Sequence, residues 1–369
     1  MRIKPFQAVY PNFDYITSSD SFFDTVKFQF PEYKQSGFFH KTAQEALYIY
    51  QITNQLRTYI GIIACADIRD YTEGKIKKHE NTLSSKEQQQ MHLMLSREAA
   101  VKPVLLTYPP VDAIDSLLKS YIIDKPCFYT VELKKGKERH SFWEIREGTV
   151  IQELQKHFSK HVPYTYIADG HHRTSTSALM HERMRNKEVD KEYNLLLSAF
   201  FPTPEIEIHD YNRVVEGLND CTLTTFMAKL SQLFEIEILE KKRKPKEKHE
   251  IIMFLNREWF QLKWRKRILK THEGNGVILD ANLLDEKVLR DILGIEDVRT
   301  DVRIKYVEGP KGLSELRGKT IKNENRVAFC LYPVQLADLF KIVNEGKTMP
   351  PKSTWFEPRM RNGLIVHEY

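Results

Sequence analysis

The residues best suited to chemistry lie in one short stretch, "YIADGHHRTSTSAL", which runs from Tyr166 to Leu179. An aspartate and a glycine end an apolar run, and two histidines and an arginine follow directly. Carboxylate, imidazole and guanidinium groups transfer protons, ligate metal ions and hold phosphate oxygens. Packing alone does not explain such a cluster, so the stretch predicts a ligand-binding or catalytic site.

The local pattern around this stretch favours phosphate binding. "YTYIA" is rich in β-forming residues and "RTSTSALMHERM" is compatible with a helix, so Asp169 and Gly170 fall at a strand-to-helix turn. The first amides of a helix lack intrahelical partners and carry the positive end of its dipole, which attracts anions. Gly170 permits a tight turn, and Arg173 is suited to a bidentate contact with phosphate oxygens.

Individual roles within the turn stay open at this level. Adjacent helical residues point about 100° apart, so at most one of His171 and His172 faces a ligand directly. Asp169 is suited to capping the helix, to ligating a metal ion or to acting as a general base.

A second candidate segment is "GKIKKHENT", residues 74–82. His79 and Glu80 offer an acid/base pair surrounded by lysines, and the alternative is a charged loop that caps the next helix. A third candidate is "MPPKSTWFEPRMRNGL", residues 349–364. It contains hydroxyl and ammonium groups suited to an anion, and the alternative is a tail docked by its aromatic residues.

The elements that must position these residues combine strand pairs with single helices. Ala46–Thr53 and Arg57–Ile68 are rich in aromatic and β-branched residues and predict a hairpin. A helix is predicted from about Ser84 to Ala100, and another from the turn to about Arg185. This order favours an α+β fold with mixed sheets over a regular βαβ repeat.

The length of 369 residues predicts two domains. The predicted boundary is "KKRKPKEK", residues 241–248, so the domains are expected at 1–240 and 249–369, with the C-terminal tail returning to the site. Six basic residues and one acidic residue give this loop a charge of +5, nearly all of the net +6 of the chain. The run predicts a solvated loop, and without a zinc-finger, recognition-helix or RNP pattern it argues against a nucleic-acid partner.

The chain is expected to be cytoplasmic and without a membrane partner. The N-terminus has no apolar run of signal-peptide length, and "YIGIIACADI" is too short to span a bilayer. The four cysteines lie among apolar neighbours without a C-x-x-C pairing and predict buried free thiols in a reducing compartment.

Four separated motifs resemble a known family. "IKPF", "GKIKKHENT" followed by "KE", "IADGHHR" and "MPPKSTWFEP" followed by "GL" look like the bacterial and archaeal family called domain of unknown function 1015. The motifs occur in the same order and span nearly the full chain. The D-G-H-x-R turn is also similar to the nucleotide-binding turn of ParB-type proteins, sulfiredoxin and the ADP-dependent free-serine kinases.

The resemblance implies a ParB/sulfiredoxin-like core with a nucleotide-phosphate site at residues 169–173. The leading hypothesis is a nucleotide-dependent phosphotransferase that uses ATP or ADP with Mg²⁺ and acts on a small hydroxylated metabolite such as free serine. Its predicted catalytic residues are His79, Glu80, Asp169 and His172, with Asp169 and Glu80 as metal ligands. Its predicted cofactor-binding residues are Gly170, His171, Arg173, Thr174, Lys352, Ser353 and Thr354.

Two alternatives use the same residues differently. In a nucleotide or phosphoester hydrolase, His79, Asp169, His171 and His172 would ligate a divalent metal ion. In a non-catalytic ParB-like module, the turn would hold a nucleotide as a switch, and the basic loop would contact nucleic acid.

Overall fold

The computed structural model describes residues 1–16, 19–133, 137–184, 192–274, 276–323 and 325–369. The chain divides into two compact units. Unit 1 contains Met1–Glu207 and Pro358–Tyr369, and unit 2 contains Ile208–Glu357. The chain therefore leaves unit 1 once and returns to it for its last residues.

The bounds of the elements are as follows in the described residues. The helices are α1 (Ser19–Gln35), α2 (Arg69–Thr72), α3 (Ser84–Arg97), α4 (Asp112–Asp124), α5 (Gly148–His161), α6 (His171–Met184), α7 (Leu223–Leu233), α8 (Lys266–Lys270), α9 (Asp280–Leu283), α10 (Gly312–Thr320) and α11 (Leu336–Asn344). The strands are β1 (Ile3–Lys4), β2 (Ala8–Pro11), β3 (Phe39–Lys41), β4 (Leu47–Thr53), β5 (Thr58–Asp67), β6 (Ile76–Lys77), β7 (Ala99–Ala100), β8 (Val104–Tyr108), β9 (Tyr129–Leu133), β10 (Glu138–Ile145), β11 (Thr165–Asp169), β12 (Leu195–Pro202), β13 (Glu207–His209), β14 (Tyr211–Glu216), β15 (Phe234–Leu239), β16 (Glu250–Leu255), β17 (Glu258–Trp264), β18 (Ile304–Glu308), β19 (Arg326–Leu331), β20 (Trp355–Glu357) and β21 (Val366–Glu368).

Unit 1 is built on a mixed sheet with the strand order β6-β11-β8-β12-β5-β4-β10-β9, to which β1 adds beside β5. The β6–β11 and β8–β12 pairs are parallel, and the other pairs along this path are antiparallel. A smaller sheet, β3-β2-β21-β7, includes the last strand of the chain. Mixed sheets with helices confirm the predicted α+β class.

Several local predictions are confirmed in unit 1. The strands β4 and β5 form the predicted hairpin, paired from Tyr48 with Ile63 to Thr53 with Thr58. Helix α3 begins at Ser84 as predicted but ends at Arg97, before the predicted Ala100, because Ala99–Ala100 form β7. Helix α6 follows the turn as far as Met184; Arg185 lies outside the described residues.

Unit 2 contains a six-stranded antiparallel sheet with the order β15-β17-β16-β19-β14-β18. Alternate residues of β16 enter two apolar clusters. Ile251 and Met253 pack with residues of α7 and α9, whereas Ile252 and Phe254 pack with Leu316 of α10. Because the strand is covered on both faces, its sequence is continuously apolar rather than alternating.

The structure divides the chain at a different place from the predicted basic loop. Residues 241–248 connect β15 to β16, and both strands pair with β17 in one sheet. A loop between two strands of the same sheet cannot separate domains, so the division falls at Glu207 and again at Glu357.

None of the described helices combines the length and the apolar character needed to cross a bilayer. All four cysteines are free; Cys65 and Cys330 are buried, Cys221 is half-buried and Cys127 is exposed.

Candidate functional site

Parallel pairing brings two distant sequence segments to one edge of the unit 1 sheet. Thr165 of β11 lies opposite Ile76 of β6, and Tyr166 lies opposite Lys77. Because the strands run in the same direction, the chain leaves both at the same edge. Residues 78–82 therefore lie beside the Asp169–Gly170 turn, which explains how the second candidate segment reaches the first.

The turn that starts α6 requires glycine. Gly170 has a φ of +106°, and a Cβ at this position would lie 2.8 Å from Arg173 Nη2. The amide of Thr174 donates to the Gly170 carbonyl at 2.9 Å. The amides of residues 171–173 therefore precede the first hydrogen bond of the helix, which is the arrangement that favours an anion.

Two buried histidines, one from α6 and one from the segment after β6, meet at the first turn of α6. His79 is 4% exposed and His171 is 7% exposed. Their ring centroids are 4.2 Å apart, and the His79 amide donates to His171 Nε2 at 3.4 Å. His79, Glu80 and His171 each offer a ligand atom, and these three atoms lie within 4.8 Å of one another. This group, called here the histidine cluster, has the donor types and the spacing of a metal centre.

Burial keeps both imidazoles of the histidine cluster neutral. Desolvation lowers the pKa of His79 to about 4, although a hydrogen bond with the Ile167 backbone opposes the shift. Desolvation, reinforced by His79, lowers the pKa of His171 well below its usual value. Metal ions bind neutral imidazole, so at neutral pH neither ring must lose a proton first.

The opposite face of the turn carries a charged group centred on Asp169. Its Oδ2 accepts from Arg173 Nη2 at 2.9 Å and lies 3.4 Å from Lys102 Nζ, and its Oδ1 accepts from Arg359 Nη1 at 3.0 Å. Burial opposes ionisation, but Lys102, Arg359 and Arg173 outweigh it and lower the pKa of Asp169. These four residues are called here the charge cluster.

The contacts of the charge cluster favour positioning roles for two residues predicted to act on the ligand. Both oxygens of Asp169 are occupied by cations, so the geometry does not favour its use as a metal ligand or general base. Arg173 Nη1 donates to the carbonyls of Lys102 at 2.8 Å and Pro103 at 2.6 Å. Because Nη2 donates to Asp169, the guanidinium links the turn to the start of β8 and does not project towards a phosphate.

The other predicted residues of the turn differ in exposure. Thr174 is fully buried, and its hydroxyl donates to the Gly170 carbonyl at 3.2 Å, so it faces the interior. His172 is half-buried. Hydrogen bonds from Thr82 and Ser175 lower the pKa of Glu87, and the charge of His172 adds to that effect. His172 thus faces the start of α3.

The predicted C-terminal residues belong to unit 2 and are described within it. Lys352 Nζ lies 5.5 Å from the centroid of the Tyr211 ring. Ser353 is buried and its hydroxyl donates to the Pro350 carbonyl at 2.8 Å, and Thr354 is half-buried. Their contact with a nucleotide stays a prediction.

The basic loop of unit 2 is largely exposed, as its charge predicts, and several of its charges are also paired within the unit. Arg243 donates to Glu250 at 2.6 Å, and Lys248 donates to Asp338 at 2.9 Å. Lys244 donates at 2.6 Å to Asp210, a carboxylate that is only 1% exposed. Several of its charges are thus used inside the unit, which leaves fewer of them for nucleic acid.

Two residues of the charge cluster carry no sequence signal of their own. Lys102 precedes β8 and was not part of any motif. Arg359 lies within the quoted C-terminal stretch, and it brings the Pro358–Tyr369 segment of unit 1 back to the turn. The return of the tail could therefore be anticipated, but the contacting residue could not.

The chain belongs to the family described as protein of unknown function (DUF1015), whose model matches residues 9–287. The match includes the Asp169–Arg173 turn and the histidine cluster. No match was found among curated proteins.

Solved structures are similar to the chain at low sequence identity. SbnI with a C-terminal truncation, from Staphylococcus aureus, is 13% identical over 83% of this chain and 87% of that chain, with a TM-score of 0.43. A conserved hypothetical protein from Pyrococcus furiosus is 13% identical over 82% and 95%, with a TM-score of 0.38. A mutant free serine kinase in complex with AMP is 12% identical over 82% and 92%, with a TM-score of 0.39.

Proposed function

We propose that the protein is a nucleotide-dependent phosphotransferase that acts on a small hydroxylated metabolite such as free serine. One observation carries the proposal: the histidine cluster lies against the first turn of α6, where helix amides favour a phosphate group. A cation site and an anion site side by side form the arrangement that phosphoryl transfer requires.

The residues of the site take separate roles in this proposal. The amides of residues 171–173 bind a phosphate of ATP or ADP, with Gly170 allowing its close approach. His79, Glu80 and His171 hold a divalent cation, which neutralises charge on phosphate oxygens when bound. His172, about 100° around the helix from His171, is placed to take the proton of the acceptor hydroxyl. Arg173 and Asp169 keep the turn in shape.

The donor set of the histidine cluster bears on the identity of the cation. Mg²⁺, predicted from the resemblance, prefers oxygen ligands, whereas imidazole suits Mn²⁺, Zn²⁺ and other transition metals. We therefore include Mn²⁺ beside Mg²⁺ in the test of activity.

The test is to incubate the purified protein with ATP or ADP, each cation and a panel of amino acids, and to detect products by ³¹P NMR and mass spectrometry. A phosphorylated amino acid is expected with wild type and is lost with His171→Ala and Glu80→Gln. His161→Ala, an exposed histidine of α5, is the matched control and keeps the activity. Turnover that persists in both site variants contradicts the assignment of the site.

The histidine cluster also favours a second candidate function, a metal-dependent hydrolase of nucleotides or other phosphoesters. Two neutral imidazoles and a carboxylate resemble the ligand sets that activate a water molecule. Consumption of the nucleotide with release of inorganic phosphate, and without a phosphorylated amino acid, would favour this function. Tight nucleotide binding without any turnover would instead indicate a binding module.

A further inference from the structure

Unit 1 contains a cavity of about 150 Å³ beside the C-terminal half of α3. Its apolar wall comes from α3, from the chain entering β8 and from β12, and includes Leu93, Met94, Val101, Val104, Leu196 and Leu197. A cavity of this size is about large enough for one benzene ring. None of the three residues of the histidine cluster lines it.

The charged side chains in the lining of this cavity are all cationic. Lys27, Arg97, Lys102 and Arg173 contribute to its wall, and no aspartate or glutamate is among its described lining residues. Asp169, outside the lining, is bound by Lys102, Arg173 and Arg359 together. One carboxylate among so many cations leaves an excess of positive charge next to an apolar space.

Arg97 is the most deeply placed of these cations, because its side chain is buried and lines the cavity. The residue is 7% exposed and lines the cavity, and its Nη1 donates to the Lys27 carbonyl at 2.7 Å. Its Nε is buried and has no hydrogen-bond partner among the described residues. Burial of a charged group without an opposite charge beside it is unfavourable, so an anion in the cavity would stabilise the Arg97 guanidinium.

The ionisation of the lining residues agrees with a missing anion. Desolvation lowers the pKa of Arg97 to about 10. Desolvation also lowers the pKa of Lys102 to about 8, although Asp169 opposes the shift. Burial is thus incompletely compensated by negative charge at both cations.

We propose that this cavity binds a small organic carboxylate whose apolar body is one ring or a short branched chain, with its carboxylate paired with the Arg97 guanidinium. The apolar wall accounts for the body of the ligand, and the carboxylate compensates the charge of the buried guanidinium. Inorganic phosphate would leave the apolar wall unfilled, and a neutral ligand would leave the excess charge uncompensated. The site is independent of nucleotide and of the proposed phosphoryl transfer.

The test is isothermal titration calorimetry on the full chain without nucleotide, using benzoate and 4-methylpentanoate as probes. Benzamide is the neutral comparison and inorganic phosphate the comparison without an apolar body. We expect both carboxylates to bind, with benzamide and phosphate at least about tenfold weaker, since hydrogen bonds to charged groups contribute about 1.5–3 kcal/mol.

Substitutions of lining residues test whether benzoate binds in this cavity. Arg97→Met is expected to lower benzoate affinity at least about tenfold, whereas Arg146→Met, at a half-exposed arginine of the same unit, leaves it unchanged. Ser177→Met narrows the cavity from α6 without changing its charge and also lowers the affinity, which covers the case in which Arg97→Met does not fold.

Three outcomes would overturn the proposal. One is benzamide or phosphate binding as tightly as benzoate, and another is unchanged benzoate affinity in Ser177→Met. The third is the lack of any heat of binding at about 10 mM carboxylate, since such a ligand would bind more weakly than the usual range for specific sites.

Discussion

The two faces of the first turn of α6 use the same short sequence in opposite ways. On one face, His171 meets His79 and Glu80, and burial holds the imidazoles neutral. On the other face, Asp169 and Arg173 stay ionised because Lys102 and Arg359 close a network around them. One face presents donor atoms close enough to share an ion, whereas the other already pairs its charges within the protein.

Neighbouring residues of the turn therefore differ in whether their side chains are already paired within the protein. A buried charge with several partners stabilises a fold only while all partners are present. Imidazole and carboxylate groups that lie near one another are instead stabilised by an added cation. We therefore propose ligand chemistry for the histidine cluster and support of the turn for the charge cluster.

Asp169→Ala is expected to have the largest effect. Removal of the carboxylate leaves Lys102, Arg173 and Arg359 facing one another, so the free energy of unfolding should fall by about 3–5 kcal/mol. Urea denaturation measures the change, and Asp124→Ala, at an exposed aspartate of α4, is the matched control. If the two variants are equally stable, the charge cluster does not support the turn.

The buried His79 of the histidine cluster should make the free energy of unfolding depend on pH. His79 titrates near 4 in the folded protein and near 6.5 when unfolded. Between these values the unfolded state binds more protons, so stability is complete above pH 6.5 and falls as the pH drops towards 4, by about 3 kcal/mol for this residue. Urea midpoints of the metal-free protein should show the slope.

His79→Asn tests whether His79 causes this pH dependence, because asparagine does not titrate in this range. We expect its stability to vary less between pH 6.5 and pH 4 than that of wild type. A slope that is the same in both proteins would mean that other groups cause it.

Gly170→Ala tests the turn shared by both faces. The positive φ and the 2.8 Å approach to Arg173 Nη2 predict a loss of about 1–3 kcal/mol in the free energy of unfolding. Gly148→Ala at the start of α5 meets nothing within 4 Å and should be neutral or slightly stabilising. Thermal unfolding of the two variants distinguishes local strain from a general effect of alanine.

The smallest effect on stability is expected for His172→Ala. The side chain is half-buried and outside the histidine cluster, so stability should change by less than about 0.5 kcal/mol. Titration with Mn²⁺ or Zn²⁺ should show wild-type affinity, whereas His171→Ala should bind either ion far more weakly. Equal losses in both variants would contradict the division between the two adjacent histidines.

The sequence predicts the local part of the site well. Gly170 between a β-forming run and a helical run indicates a strand-to-helix turn, and the structure has β11, the turn and α6 in that order. The hairpin of β4 and β5 is equally local. In each case neighbouring residues carry the signal, because periodicity and glycine conformation act over a few positions.

Contacts between distant residues are less accessible from the sequence. Arg173 is suited to phosphate by its chemistry, yet its donors go to carbonyls 70 and 71 positions earlier. Arg359 reaches Asp169 across 190 positions, and no periodic pattern links the two. The basic loop shows the same limit, since its charge is evident but its partners are not.

The amino-acid sequence by itself determined the α+β class, the strand-turn-helix around Gly170 and the residues from which a site could be made. Only the tertiary structure decided which of them lie close together and which pair with more distant residues. Sheet order is the physical reason, since the parallel pairing of β6 with β11 brings His79 and Glu80 to His171. The neighbouring β8 brings the Lys102 carbonyl to Arg173 and thereby turns the arginine inward.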